Sequence, residues 1–277
     1  METHLVPVPG SPALLLEPGE RRRPRTLVVA DLHLGLGGTG ARPGGPPEGS
    51  AVRMAAELVT ILRATGADAL LVAGDAKHPI VGTPPPLRPI VFDFFARLLE
   101  EGVPIDLVIG NHDVGITPHL PREVGVHSSG GLVRDGVGVF HGHRWPANPV
   151  LRSARLVAGH LHPGYRLAPT AEDPEGKRRC WVRVEFAPGP PRPGRARRRA
   201  DLGAREMVVL PAFHPLAGTE ALNRHRPARG RSFLYRRFLA RGTPRAYLLD
   251  GTDLGPIPMP VGGADRPRAA AERPPGR

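Results

Sequence analysis

The chain has 277 residues, an apolar fraction of 40% and a formal net charge of +12. That length suits one large domain with a sizeable core, and no apolar run reaches the length of a membrane span. The N-terminal segment lacks the basic start and long apolar stretch of a secretory leader, and the single cysteine, Cys180, excludes an internal disulfide, so a cytoplasmic setting is expected.

In chain order, ALLLE (13–17) and TLVVAD (26–31) read as strands, and the Gly- and Pro-rich GLGGTGARPGGPPEG (35–49) reads as a loop. A helix is expected over 51–65, with Val52, Ala55, Leu58, Ile61 and Leu62 at helical spacing. ALLVAGD (69–75) is a strand. Val91–Glu101 is a helix with Phe92, Phe95, Leu98 and Leu99 on one face, and IDLVIG (105–110) is again a strand. Residues 125–143 read as antiparallel hairpins with glycine turns. A short helix over 149–154 leads into LVAGHLHPGY (156–165), and later strands are expected at 181–186, 206–213 and 246–250.

Fully apolar strands alternating with amphipathic helices indicate an α/β protein. The helix-rich first half and strand-rich second half suit two sheets packed together with helices outside. One domain is expected over 1–254, with core motifs at 26–165, later strands at 181–250 and a basic Pro-rich insertion at 187–203. The Pro/Arg-rich tail 255–277 is expected to be disordered. Apart from Lys77 and Lys177 the basic residues are arginine, crowded at 21–25, 192–199 and 224–245. A solvated basic surface is the simpler reading, and a footprint for a phosphate-rich partner, nucleic acid among them, is the alternative.

The chemistry sits at strand ends, where α/β folds keep their sites. TLVVAD31LH33, LLVAGD75, LVIGN111H112D113, GVGVFH141GH143 and LVAGH160LH162 each close an apolar strand with polar side chains. Any one of these is weak, because an Asp at a strand end is often a cap and a His-x-His pair has several uses. Five strands that all deliver ligand-type side chains are not explained by packing or solvation. The imidazoles, carboxylates and carboxamide supply the N and O donors that suit Mn, Fe or Zn, in a number that fits two ions sharing a ligand better than one structural zinc. GLGGTG (35–40) resembles a dinucleotide fingerprint, but Pro43, Pro46 and Pro47 are hostile to the helix that fingerprint needs. No G-x-S-x-G elbow is present.

Taken together and in this order, D-x-H, G-D, G-N-H-D, H-G-H and G-H-x-H resemble the calcineurin-like metallophosphoesterases over about residues 26–165. ADLHLG, GDAKH, GHLHP and LPAFHPLAGTE (210–220) further resemble an archaeal and DNA-ligase-associated branch of predicted phosphoesterases. The resemblance implies a four-layer αββα sandwich of two mixed sheets. It implies that Asp31, His33 and His162 hold one divalent ion, that Asn111, His141 and His160 hold a second, and that Asp75 bridges both. Manganese is the expected metal, with Fe, Zn or Ni as alternatives. The implied reaction is hydrolysis of a phosphomonoester or phosphodiester by a metal-bridged hydroxide, with His112 assisting the leaving group. Nucleotides or nucleic acid are candidate substrates.

A catalytically weak nucleic-acid-binding or regulatory module on the same scaffold is the alternative, but decay removes ligands first and none is missing here. One departure stands out. Many relatives read G-D-x-x-D, whereas Gly74-Asp75-Ala76-Lys77-His78 places a histidine in the last position. That leaves the partner of His112 open. Asp113 is adjacent, although neighbouring residues rarely face each other, and Lys77 or His78 is a candidate contact to substrate phosphate.

Overall fold

The computed structural model describes residues 2–20, 23–37, 47–169, 176–187, 203–224 and 232–259. Most of the loop expected at 35–49, residues 188–202 of the basic insertion and residues 260–277 of the tail lie outside the described residues.

The first sheet contains β1 (Thr3–Pro7), β2 (Leu14–Pro18), β3 (Thr26–Val29), β4 (Ala69–Val72), β5 (Ile105–Val108) and β6 (Gly125–His127), side by side in that order. β1, β2 and β3 pair antiparallel, and β3 to β6 run parallel. The parallel crossovers are made by α1 (Pro47–Thr65) and α2 (Leu87–Leu99).

The second sheet is also mixed. The hairpin β7 (Leu132–Arg134) and β8 (Val137–Phe140) continues through the short α3 (Asn148–Leu151) to β9 (Arg155–Ala158), which lies parallel to β8. β10 (Pro163–Arg166), the long β11 (Lys177–Glu185), β12 (Glu206–Val209) and β13 (Glu220–Ala221) follow. After α4 (Phe233–Arg237), β14 (Thr243–Leu248) pairs with β11, and β15 (Asp253–Pro256) pairs with β14.

The two-residue period of the strands sorts their side chains into layers. Leu27, Val29, Leu70, Val72, Ile105 and Leu107 face α1 and α2. Val28, Ala30, Leu71, Ala73 and Val108 face the second sheet, where they meet Val139, Val157, Trp181, Val208 and Leu210. The outer face of the second sheet, with Leu156, Ala158, Met207 and Val209, packs on Val150 and Leu151 of α3 and Leu234 and Tyr235 of α4. This is the expected αββα sandwich. It explains why β4 and β8 are apolar and buried at every position: each is covered on both faces. Each large aliphatic side chain so buried stabilises the fold by about 1.5–3 kcal/mol.

Three local expectations change. α2 begins at Leu87, directly after Pro84-Pro85-Pro86, because proline is tolerated at the start of a helix. Its buried stripe is Leu87, Ile90, Val91, Phe94, Phe95 and Leu98, while Phe92 is 48% exposed. Residues 125–127 do not join the hairpin; they form β6 on the edge of the first sheet. The 149–154 helix is the single turn of α3. Cys180 is fully buried in β11, and burial pushes its thiol up to about 12. No helix among the described residues is long and apolar enough to cross a membrane.

Candidate metal centre

Because β3, β4 and β5 run parallel, the residues that follow them emerge along one edge. The pairing also continues beyond the strands: Asp31 N donates to Gly74 O at 3.0 Å, and His33 N donates to Asp75 O at 2.9 Å. This fixes the Asp-x-His turn beside the Gly-Asp turn. β8 and β9 likewise run parallel in the second sheet and deliver His141 and His160 to the same place. The Asp31 carboxylate joins the two sheets by accepting the His160 backbone N–H at 3.0 Å.

The seven candidate ligands gather into two adjoining groups. One ligand atom each of Asp31, His33 and His162 lies within 4.8 Å of the others, and the same holds for Asp75, His141 and His160. Asn111 joins the second group, its Oδ1 3.2 Å from His141 Nε2. His141 Nε2 is also 3.2 Å from Asp75 Oδ2, and His162 Nε2 is 3.3 Å from Asp31 Oδ1. A third trio, His33, His78 and His112, lies beside them.

The outer nitrogens of His141 and His162 are fixed. His141 donates Nδ1–H to Ala73 O at 2.9 Å, and His162 donates Nδ1–H to Gly218 O at 2.9 Å. Each Nε2 is thereby turned inward, which is how metal-ligating histidines are held. The Nε2 atoms of His33 and His162 stand 3.1 Å apart, close enough to share one proton or one cation. Oxygen and imidazole donors with these supports fit divalent ions of the Mn, Fe or Zn kind.

Backbone strain marks the same residues. Asp31, His33, Asp75, His160 and His162 all have positive φ, between 42° and 67°, and among the described non-glycine residues only Asp135 shares that region. Such conformations cost of order 1–3 kcal/mol each and persist where the surroundings enforce them. Two glycines answer to close approach. At Gly74, with φ +93°, a Cβ would sit 2.5 Å from His141 Nδ1. At Gly110 a Cβ would sit 2.2 Å from Asp75 Oδ1, so glycine is required there because Asp75 passes so close.

Burial and charge compete throughout. Burial depresses His33 to about 3 and His160 to about 4. Burial would also depress His141, but the Asp75 and Asp31 carboxylates raise it to about 9. His162 is raised because Asp31 outweighs burial. Burial works to raise Asp31 and Asp75, yet the neighbouring His162 and His141 hold both carboxyls below their ordinary range. The centre is therefore a pair of carboxylates that draw in cations.

The three polar residues after β5 have separate roles in the structure. Asn111 faces His141. His112 donates its backbone N–H to Asp75 Oδ1 at 2.8 Å and its Nδ1–H to the carbonyl of His78, leaving Nε2 3.8 Å from Asp75 Oδ2. A backbone carbonyl, and not a carboxylate, thus orients His112. Asp113 is turned away and 1% exposed. It accepts the N–H groups of Gly110, Asp75 and Ala76 at 2.8 Å each and that of Lys77 at 3.3 Å. It clamps the Gly-Asp turn to the Asn-His-Asp turn. Asp113→Ala strands these buried amides, so urea denaturation is expected to show a loss of about 3 kcal/mol.

Lys77 is also internal. Fully buried, it donates Nζ–H to the carbonyls of Pro79, at 2.6 Å, and His112, which removes it as a substrate contact. His78 stacks on His112 with ring centroids 5.7 Å apart and is partly exposed. His143 packs against His141 with centroids 5.3 Å apart, and burial lowers it to about 4.

The model of the family described as calcineurin-like phosphoesterase matches residues 24–181. A UDP-2,3-diacylglucosamine hydrolase from Aeromonas hydrophila is 39% identical over 105 residues, which is 36% of this chain. The match spans only 38% of that relative's length. The crystal structure of Pseudomonas putida nuclease MPE superposes with a TM-score of 0.53 over 91% of this chain and 100% of that one, at 19% identity.

Proposed function

Since the chain belongs to the calcineurin-like phosphoesterase family, we propose that it hydrolyses phosphate esters with two divalent ions, manganese first among them. The observation that carries this reading is the convergence of five strand ends on two donor groups, Asp31/His33/His162 and Asp75/His141/His160, with Asn111 beside the second. In this reading Asp75 would serve both ions. Two ions held in this way would neutralise the phosphoryl charge and activate a water for in-line attack.

The chain's own residues do the rest. The Asp75 carboxylate anchors the His112 backbone, and the His78 carbonyl orients its imidazole. With Nδ1–H committed to the His78 carbonyl, His112 can carry a second proton only at Nε2, the nitrogen beside the centre. That atom is placed to protonate the leaving oxygen or to offset its charge. His78, stacked on His112, is placed to meet a non-bridging phosphate oxygen. The motifs ADLHLG, GDAKH, GHLHP and LPAFHPLAGTE favour the DNA-ligase-associated branch, and the buried lone cysteine fits a reducing, cytoplasmic setting.

A polynucleotide substrate is favoured by one further feature. A polar cleft of about 800 Å³, lined by Lys177, Arg178, Arg179, Leu216, Gly218 and Asp250, adjoins the centre through the Gly218 carbonyl that holds His162. The reading is tested with chelated protein resupplied with single divalent ions. Aryl phosphate monoesters and diesters, single-stranded DNA and RNA are offered at low and high salt. Metal-restored hydrolysis is expected, and a polynucleotide should lose affinity steeply with salt as counterions are released. Hydrolysis of none of these esters with any metal would remove the proposal.

A further inference from the structure

The stretch LPAFHPLAGTE leaves β12 on the second sheet and crosses to the first. Arg179 Nη1 holds it at its start, donating to the carbonyls of Ala212 at 3.0 Å and Phe213 at 3.1 Å. Phe213 N then donates to Ala30 O at 2.9 Å, and His214 N to Asp31 O at 3.2 Å. Four residues on, the Gly218 carbonyl takes the Nδ1–H of His162. One strap thus touches the backbone of one candidate ligand and the ring of another in the same trio.

His214 is the middle of that strap, and it is 0% exposed. All its outward polar groups are used. Its Nδ1 accepts the Leu216 backbone N–H at 3.1 Å, so in the neutral ring the proton sits on Nε2. That Nε2–H points at Ser50 Oγ, 3.2 Å away in the first turn of α1. Asp31 and Ser50 are the two ends of the segment that carries the Asp-x-His turn into α1. A single buried histidine therefore fastens both ends, one through its backbone and one through its ring. Any buried histidine needs partners for its polar groups; here two of those partners are the Asp31 carbonyl and Ser50, the two ends of that segment.

We propose that His214 is a positioning residue: with Ser50 it staples the Asp31–His33 turn to the strap and so sets the affinity of the Asp31/His33/His162 site for its ion. The inference rests on the two-metal reading above, and its test separates the two. Mn²⁺ binding to the full-length chain is measured by equilibrium dialysis, with thermal unfolding as a check on the fold. Wild type is expected to bind two ions. His214→Ala is expected to weaken one binding step by about 10–100-fold, as loss of a support behind metal ligands does. That step should be the one that His33→Ala also weakens, and the other step should change less than about threefold.

Ser50→Ala keeps the backbone bond and the Leu216 bond of His214, and it is expected to weaken the same step to a smaller degree. It decides the matter if His214→Ala does not fold. Wild-type affinities at both steps in both variants, or equal weakening of both steps, would overturn the staple. Fewer than two ions on the wild-type chain would overturn the two-metal reading itself and remove the staple's role with it.

Discussion

Asp75→Asn is expected to lower metal-dependent ester hydrolysis by at least about 10³-fold, or roughly 4 kcal/mol of barrier, while leaving the fold intact. The side chain is 2% exposed and lies 3.2 Å from His141, and its other oxygen accepts the His112 amide. The amide variant keeps the shape and retains an acceptor for that N–H. It removes the negative charge that serves the His141/His160 group and the adjoining Asp31 group. The fold should tolerate this. Asp75 and Asp31 repel each other across the centre, and the Asp75 backbone N–H remains held by Asp113. A steady-state assay of both proteins on an aryl phosphate with saturating Mn²⁺, beside their unfolding curves, checks both halves of the expectation.

His112→Gln is expected to show a loss that depends on the leaving group. For alkyl esters, whose departing oxygen needs a proton, the loss should be about 10²–10⁴-fold. For p-nitrophenyl esters, whose leaving group departs as a stable anion, it should be under about tenfold. Bound metal should be unchanged, because His112 lies outside the two carboxylate-containing groups. Equal losses on the two ester classes would mean that His112 acts on binding and not on proton delivery. The structural premise is the bond from Nδ1–H to the His78 carbonyl, which leaves only Nε2 to do this work.

Much of this could be read from the chain alone, for a physical reason. Strands buried on both faces are largely apolar, so the polar residues just past their ends stand out. Asp31, Asp75, Asn111, His141 and His160 each announce themselves in this way, and parallel neighbours must bring them together. What could not be read are the bonds that run through tertiary space. Asp113 looked like a partner for its neighbour His112. Its four amide partners, at Gly110 and at 75–77, belong to two turns that meet only in the fold. Lys77 looked like a phosphate contact because lysines are usually exposed, and only the fold shows its ammonium committed to two carbonyls. His214 carried a motif but no role, since Ser50 lies 164 positions away. α2 starts at Leu87, ahead of the helix expected from Val91, because the prolines at 84–86 lead directly into its first turn.

In the reading proposed here, seven side chains from two sheets would hold two divalent ions that together support ester hydrolysis. Its most direct test is one titration of the chelated chain with Mn²⁺, in which bound metal and hydrolysis of an aryl phosphodiester are followed in the same samples. Two ions per chain are expected, with activity that rises as the second binds. Hydrolysis at full rate in the chelated chain, or saturation below two ions per chain, would contradict that reading.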